Sequence, residues 1–135
     1  MSKNLNRPSH RLLNMAAFIL FIIASMIVCI YSLIPSSTVG VEMSDKILHF
    51  VTYGGLAGLL LLARPYMRLS LVFILISIIG IALEIGQALV PTGRTASIAD
   101  QIANSGGAIL VILLWVALSP LIHNIWSSIM KSLEP

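Results

Sequence analysis

The 135-residue sequence is 58% hydrophobic and only 10% charged, and its formal net charge at pH 7 is +3. Soluble domains carry about 25% charged residues, so this chain has too little charge to cover a water-exposed surface, and we expect one domain solvated mostly by the bilayer. No basic stripe interleaved with aromatic residues is present, so the sequence predicts no nucleic-acid partner.

Four apolar segments follow one another along the chain, and each is long enough for a membrane-spanning helix. The first covers 12–34. This run exceeds the apolar core of a cleavable signal peptide, so we predict that it is retained. The second covers about 47–63 and contains Gly54 and Gly58, a G-x-x-x-G step that permits close helix packing, either within one chain or between two chains. The third covers about 69–90 and ends before a proline.

The last segment begins near Ser97, where Ser97 and Asp100 fit the S-x-x-D capping box of a helix start. The stretch 97–104 is too polar to face lipid, so it lies either in the membrane interface or behind the other helices. Pro120 is expected to kink or end this last helix.

The predicted fold class is an all-α membrane protein, a bundle of about four transmembrane helices with a polar segment before the last. The chain then divides into a basic N-terminal flank (1–11), a transmembrane domain (12–126) and a tail (127–135). The oligomeric state is left open.

Lysine and arginine are distributed unevenly among the connections. Three lie in the N-terminal flank, and the second connection has Arg64 and Arg68. The first connection has only Lys46, and the third has only Arg94. The positive-inside rule therefore predicts that both termini and the 64–68 turn are cytoplasmic. The first and third connections then share the outer side of the membrane.

Polar residues recur at helical spacing near that outer side. Asp45, His49 and Tyr53 are spaced i, i+4, i+8, and Glu84 precedes Gln87 by three residues, so each set lines one helix face. A carboxylate inside the apolar slab costs about 2.5–3.5 kcal/mol at a helix centre, so Glu84 is the residue hardest to explain without a function. The predicted site contains the polar residues at this depth: Asp45, Lys46, His49, Tyr53, Glu84, Gln87, Arg94, Ser97, Asp100 and Asn104.

Several of these residues also have a structural interpretation. Asp45 fits an N-cap of the second helix, and Asp100 can simply complete the capping box. His49 can be an interfacial histidine that is hydrogen-bonded to Asp45. Asn104 can join two helices, and Tyr53 can serve packing alone.

For Glu84 we predict Arg94 or Lys46 as the ionic partner, with His49 as the next choice. Arg94 can also serve only to neutralise Glu84.

Two chemical roles are open to the cluster. His49 and Glu84 suit general acid–base catalysis in a partly desolvated site. Asp45, His49, Glu84 and Asp100 are residue types that ligate metals, but no H-x-x-x-H or paired-cysteine motif accompanies them. We therefore predict no metal or other cofactor.

At these residues the sequence resembles the VanZ-like family of bacterial membrane proteins. The resemblance is carried by two blocks, 44–53 and 84–107. The positions that fill the family pattern are Asp45, Lys46, His49, Tyr53, Glu84, Gln87, Pro91, Arg94, Ser97, Asp100, Asn104 and Gly107. Similar proteins often have another glycine where Val111 stands, which bears on helix packing. The family is named for a protein linked to teicoplanin resistance, and the resemblance implies a place in the bacterial inner membrane without supplying a reaction.

Three functions remain open from the sequence. In the first, the outer-leaflet site binds an anionic lipid or glycan-lipid headgroup, or a glycopeptide-related ligand, with Arg94 and Lys46 holding the anion. In the second, the protein is an enzyme acting on such a lipid with His49 and Glu84 as acid and base. In the third, it is a scaffold whose polar residues only fix helix packing.

Overall fold

The computed structural model describes residues 8–32, 42–90 and 97–132, with side chains described at 11–32, 45–90, 97–121 and 124. The described residues form four helices: α1 (Pro8–Ser32), α2 (Glu42–Ala63), α3 (Leu69–Leu89) and α4 (Ile98–Ser132). Each helix contains an apolar segment of 19 to 24 residues. At about 1.5 Å per residue such segments cross about 30 Å of hydrocarbon. The predicted all-α fold with four transmembrane helices is confirmed.

Two predicted helix boundaries need correction. α2 begins at Glu42, so Asp45 lies inside its first turn and the prediction that Asp45 is the N-cap is wrong. α4 continues through Pro120 to Ser132, so the expectation that Pro120 ends the helix is also wrong. A proline has no N–H for the carbonyl four residues before it, which here is Val116. The Ser119 hydroxyl donates to that carbonyl oxygen at 3.2 Å and replaces the missing bond.

The core of the bundle forms around α2. Leu56 and Leu61 on α2, Val72 and Ile76 on α3, and Ala108 on α4 are all buried. The outward faces of the helices carry many exposed leucine and isoleucine side chains instead of charged ones. This distribution suits a bundle whose surroundings are lipid chains.

The tightest helix contact joins α2 to α4 through glycines. A Cβ atom placed on Gly107 would overlap the carbonyl oxygen of Phe50, because the two backbones touch there. The side chain of Val111 packs over the places where Gly54 and Gly58 lack a Cβ, at 3.2 Å and 3.5 Å. The G-x-x-x-G step is therefore a packing groove within the chain, and valine at position 111 fills it.

The helices alternate in direction, so α1 and α3 end at the side of the bundle where α2 and α4 begin. We call this side the polar end and define it by Ser32, 45–49, 84–87 and 97–104. The opposite side, the basic end, contains Arg11, Arg64 and Arg68. The Arg64 guanidinium there lies 4.9 Å from the centroid of the Phe18 ring, so the start of α1 and the end of α2 are adjacent.

Candidate functional site

The polar end brings together residues that the sequence placed on three different helices. Glu84, Gln87 and Asn104 are buried there, with 8%, 4% and 1% of their surfaces exposed. Asp45, His49, Ser97 and Asp100 are half-buried at the same end, whereas Lys46 is exposed. Arg94, the remaining predicted site residue, lies outside the described residues.

Glu84 receives its hydrogen bond from the start of α4. The backbone N–H of Ser97 donates to the Glu84 carboxylate at 2.7 Å. Ser97 in turn caps α4, because its hydroxyl accepts from the Asp100 backbone N–H at 3.3 Å. In a capping box the third helical residue would supply the acceptor for the Ser97 N–H, but here a neighbouring helix supplies it.

This contact bears on the predicted partners of Glu84, of which Arg94 lies outside the described residues and stays a prediction. Among the described residues, Glu84 forms no ion pair with Lys46 or His49, so those two predicted partners are wrong. Its negative charge instead lies beside the N-terminus of α4, where the helix dipole is positive. A buried carboxylate is thus compensated by a backbone donor and a helix end.

Gln87 caps the C-terminal end of α1, as Glu84 caps the start of α4. Its side-chain N–H group donates to the carbonyl oxygen of Ser32 at 3.0 Å. The last carbonyl groups of a helix have no partner within the helix, so this bond satisfies one of them. Because Glu84 and Gln87 lie three residues apart on one face of α3, that face caps the start of one neighbour and the end of another.

His49 and Asn104 join α2 to α4. The Nδ1 atom of His49 lies 2.9 Å from Oδ1 of Asn104, so the expected partner of His49, Asp45, is not the one it bonds. The Asn104 side-chain N–H group donates to Gln101 Oε1 at 3.5 Å, which turns the Asn104 oxygen toward the imidazole. In this orientation Nδ1 of His49 is the donor and Oδ1 of Asn104 is the acceptor.

Tyr53 lies beneath this pair and is almost completely buried, with 2% of its surface exposed. Its ring stacks on that of His49 with the centroids 6.3 Å apart and an interplanar angle of 14°. Gly80 makes the room for this arrangement, because a Cβ there would lie 2.7 Å from Gln101 Oε1 and 3.2 Å from the Tyr53 ring.

A second group of side chains converges beside the histidine. One nitrogen of His49 and one carboxylate oxygen from each of Asp45 and Asp100 lie within 4.8 Å of one another. The sequence analysis included Glu84 as a fourth possible ligand, but Glu84 does not belong to this group. Its carboxylate is bonded to the Ser97 N–H instead.

A lateral groove of about 280 Å³ opens between α3 and α4 at the same end. Glu84, Ser97 and Gln101 contribute its polar atoms, and isoleucine, leucine and alanine side chains of both helices supply the rest of the lining. The groove lies on the outer face of the bundle and not in its interior.

Sequence reasoning missed Gly80, Gln101 and Ser32. An isolated glycine within an apolar helix often indicates close packing, so Gly80 could have been noticed. Gln101 lies in the polar stretch already singled out and could have been added to it. Ser32 takes part through its backbone carbonyl, for which the residue type gives no signal.

One of three comparisons with known proteins gives a match. No curated protein and no solved structure matches the chain. A family model described as VanZ/LLP1 matches residues 2–122, which is most of the chain and includes all four apolar segments. The protein is thus a multi-pass membrane protein and a member of the VanZ-like family.

Proposed function

We propose that this protein binds the headgroup of an anionic lipid or glycan-lipid at its polar end, in the outer leaflet of the bacterial inner membrane. The observation that carries the proposal is the lateral groove between α3 and α4. It is apolar along its length and reaches the buried polar cluster through Glu84 and Ser97. A lipid chain lying among the isoleucines would bring its headgroup to the capped start of α4.

The charges at the polar end suit a headgroup that carries both phosphate and hydroxyl groups. Lys46 is exposed in the first turns of α2. Arg94 lies outside the described residues, and the proposal assigns it to the anion together with Lys46 because it precedes Ser97 by three residues in the sequence. The carboxylates of Asp45 and Asp100 are half-buried acceptors that suit the hydroxyl groups of a sugar. The orientation itself rests on the basic end, where Arg11, Arg64 and Arg68 favour the cytoplasm.

Native mass spectrometry of the full chain, purified in a gentle detergent, tests the proposal. The wild-type protein is expected to retain a lipid, and Arg94→Ala is expected to lose it while keeping its helical content. Ile85→Trp places a large side chain in the groove and should also lose the lipid. Ile78→Trp is the matched control, since Ile78 lies two turns away, is similarly exposed and does not line the groove.

The outcomes separate the explanations. No lipid on the wild-type protein would contradict the proposal, and so would equal loss in Ile78→Trp and Ile85→Trp. The family's association with teicoplanin resistance is consistent with an envelope ligand. Glycopeptide susceptibility of strains with and without the protein measures whether this member has that effect.

A scaffold function is the second candidate, because one specific observation favours it. Glu84 and Gln87 cap two neighbouring helices, so their polarity has a structural explanation that needs no ligand. The scaffold hypothesis predicts that Glu84→Gln lowers stability but leaves lipid retention unchanged. The acid–base alternative gains no comparable support, since no contact among the described residues joins His49 to Glu84.

A further inference from the structure

The side chains of Asp45, His49 and Asp100 form a set of three metal-ligand types contributed by two helices. Their donor atoms lie within 4.8 Å of one another. Donors bound to one Zn²⁺ at about 2.1 Å are about 3.4 Å apart in a tetrahedral site. All three side chains are half-buried, so carboxylate rotations can bring the donors together by the remaining distance of about 1.4 Å.

An observation outside this set also indicates a ligand. Asn104 is 1% exposed and holds the Nδ1 proton of His49 at 2.9 Å, while its own amide is oriented by Gln101. Histidines that ligate metals almost always donate their other ring N–H to a carbonyl or carboxylate oxygen, which fixes the tautomer and ring orientation. Because Asn104 engages Nδ1, the nitrogen of His49 that would coordinate a metal is Nε2.

Among the described side chains of the polar end, carboxylates outnumber cations. The described side chains there include three carboxylates, those of Asp45, Glu84 and Asp100, and one lysine, Lys46, which is exposed. Two of the carboxylates face each other across the α2–α4 contact, close to the imidazole. A divalent ion between them would remove the repulsion and join the starts of the two helices.

We propose that Asp45, His49 and Asp100 bind a divalent metal ion at the polar end of the bundle. Two carboxylate oxygens and one imidazole nitrogen suit Zn²⁺ or Mn²⁺, because carboxylates favour Mn²⁺ and imidazole favours Zn²⁺. Three protein ligands leave at least one coordination position open, toward which a phosphate oxygen can approach. The proposal differs from the prediction of no metal, which rested on the absence of a local sequence motif.

Binding of Mn²⁺ to the full chain in detergent tests the site, using the electron paramagnetic resonance signal of free Mn²⁺. We expect the wild-type protein to bind one Mn²⁺ that Zn²⁺ displaces. Asp45→Asn and Asp100→Asn each remove one ligand without changing side-chain shape, and each should weaken binding by at least about 10-fold. Glu134→Gln is the matched control, because it removes a carboxylate from the C-terminal tail and not from the ligand set, and it should leave the affinity within about 2-fold.

Thermal unfolding supplies a second measurement that does not depend on Mn²⁺ affinity alone. With Zn²⁺, Tm should rise in the wild type and change little in Asp45→Asn. The site is refuted if the wild type binds no Mn²⁺, or if Glu134→Gln weakens binding as much as the two Asn variants do.

A bound cation would also bridge to an anionic headgroup, and this extension rests on the proposed function. Native mass spectra recorded with and without EDTA separate the two proposals. Loss of lipid with EDTA supports the bridge. Retention of lipid together with loss of metal contradicts the bridge but leaves the proposed lipid site intact.

Discussion

Replacing Gly107 with alanine tests the contact that holds α2 against α4. The added Cβ would overlap the Phe50 carbonyl oxygen and lie 2.8 Å from the Phe50 carbonyl carbon, whereas ordinary contacts begin near 3.4 Å. Both atoms belong to the α2 backbone, so no side-chain rotation can relieve the overlap and the two helices must move apart. Overpacking of this kind costs about 3 kcal/mol or more in unfolding free energy.

The assay is reversible unfolding of the purified protein in mixed micelles, followed by circular dichroism. Gly55→Ala is the matched control, because a Cβ at Gly55 meets nothing within 4 Å and it lies on the same helix as Gly54. The control should be neutral or slightly stabilising, by up to about 1 kcal/mol, since alanine favours helix more than glycine does. Gly54→Ala should fall between the two, because its nearest neighbours would lie at 3.1 Å and 3.2 Å. Equal stability of Gly107→Ala and Gly55→Ala would refute the close backbone contact.

Three further predictions follow from the polar end and the orientation. Glu84→Ala leaves the Ser97 N–H without its acceptor and should lower the unfolding free energy by about 2–3 kcal/mol. Glu84→Gln keeps an oxygen but loses the charge, so it should lower the unfolding free energy by only about 1 kcal/mol in the same assay. A Glu84→Ala variant more stable than the wild type would contradict the capping role. Gly80→Ala places a Cβ 2.7 Å from Gln101 Oε1 and 3.1 Å from Asn104 Nδ2, so these flexible amides should move, and the unfolding free energy should fall by less than about 1.5 kcal/mol. Because Asn104 is bonded to His49, the imidazole resonances of His49 should shift in nuclear magnetic resonance spectra. Unchanged resonances would show that Asn104 stays in place. In a Cys29→Ala background, Lys46→Cys should react with a membrane-impermeant thiol reagent added to intact cells, and Arg68→Cys should react only after permeabilisation. The reverse pattern would show that the predicted topology is wrong.

The four helices could be predicted because each apolar run is long enough to cross the bilayer without help from the rest of the chain. Their ends were less predictable. The start of α2 was placed too late because Glu42 and Asp45 are polar, although a helix can begin in the interface. The tendency of Pro120 to end the helix was overestimated, because the Ser119 hydroxyl compensates for the lost backbone hydrogen bond. A general rule for proline does not anticipate such a side-chain bond.

The convergence of the polar residues could also be predicted, since helical spacing and alternating direction place His49, Glu84 and Asp100 near one end. Their partners could not. Glu84 bonds a backbone N–H and Gln87 a backbone carbonyl, and every residue type offers such groups. The sequence named Asp45, His49 and Asp100 as residue types that ligate metals together with Glu84, but it could not show that the first three come together without Glu84, because they belong to two helices that are distant in the sequence.

The two caps supplied by α3 bear on how the chain assembles during synthesis. When only the first two segments have entered the membrane, the final carbonyl of the first lacks the protein partner that Gln87 later provides. The fourth segment likewise begins at an N–H whose acceptor, Glu84, is carried by the segment inserted just before it. A polar backbone group without a partner costs several kcal/mol in hydrocarbon. Insertion of α3 is therefore the step that gives the last carbonyl of α1 its partner and brings in the acceptor for the first N–H of α4.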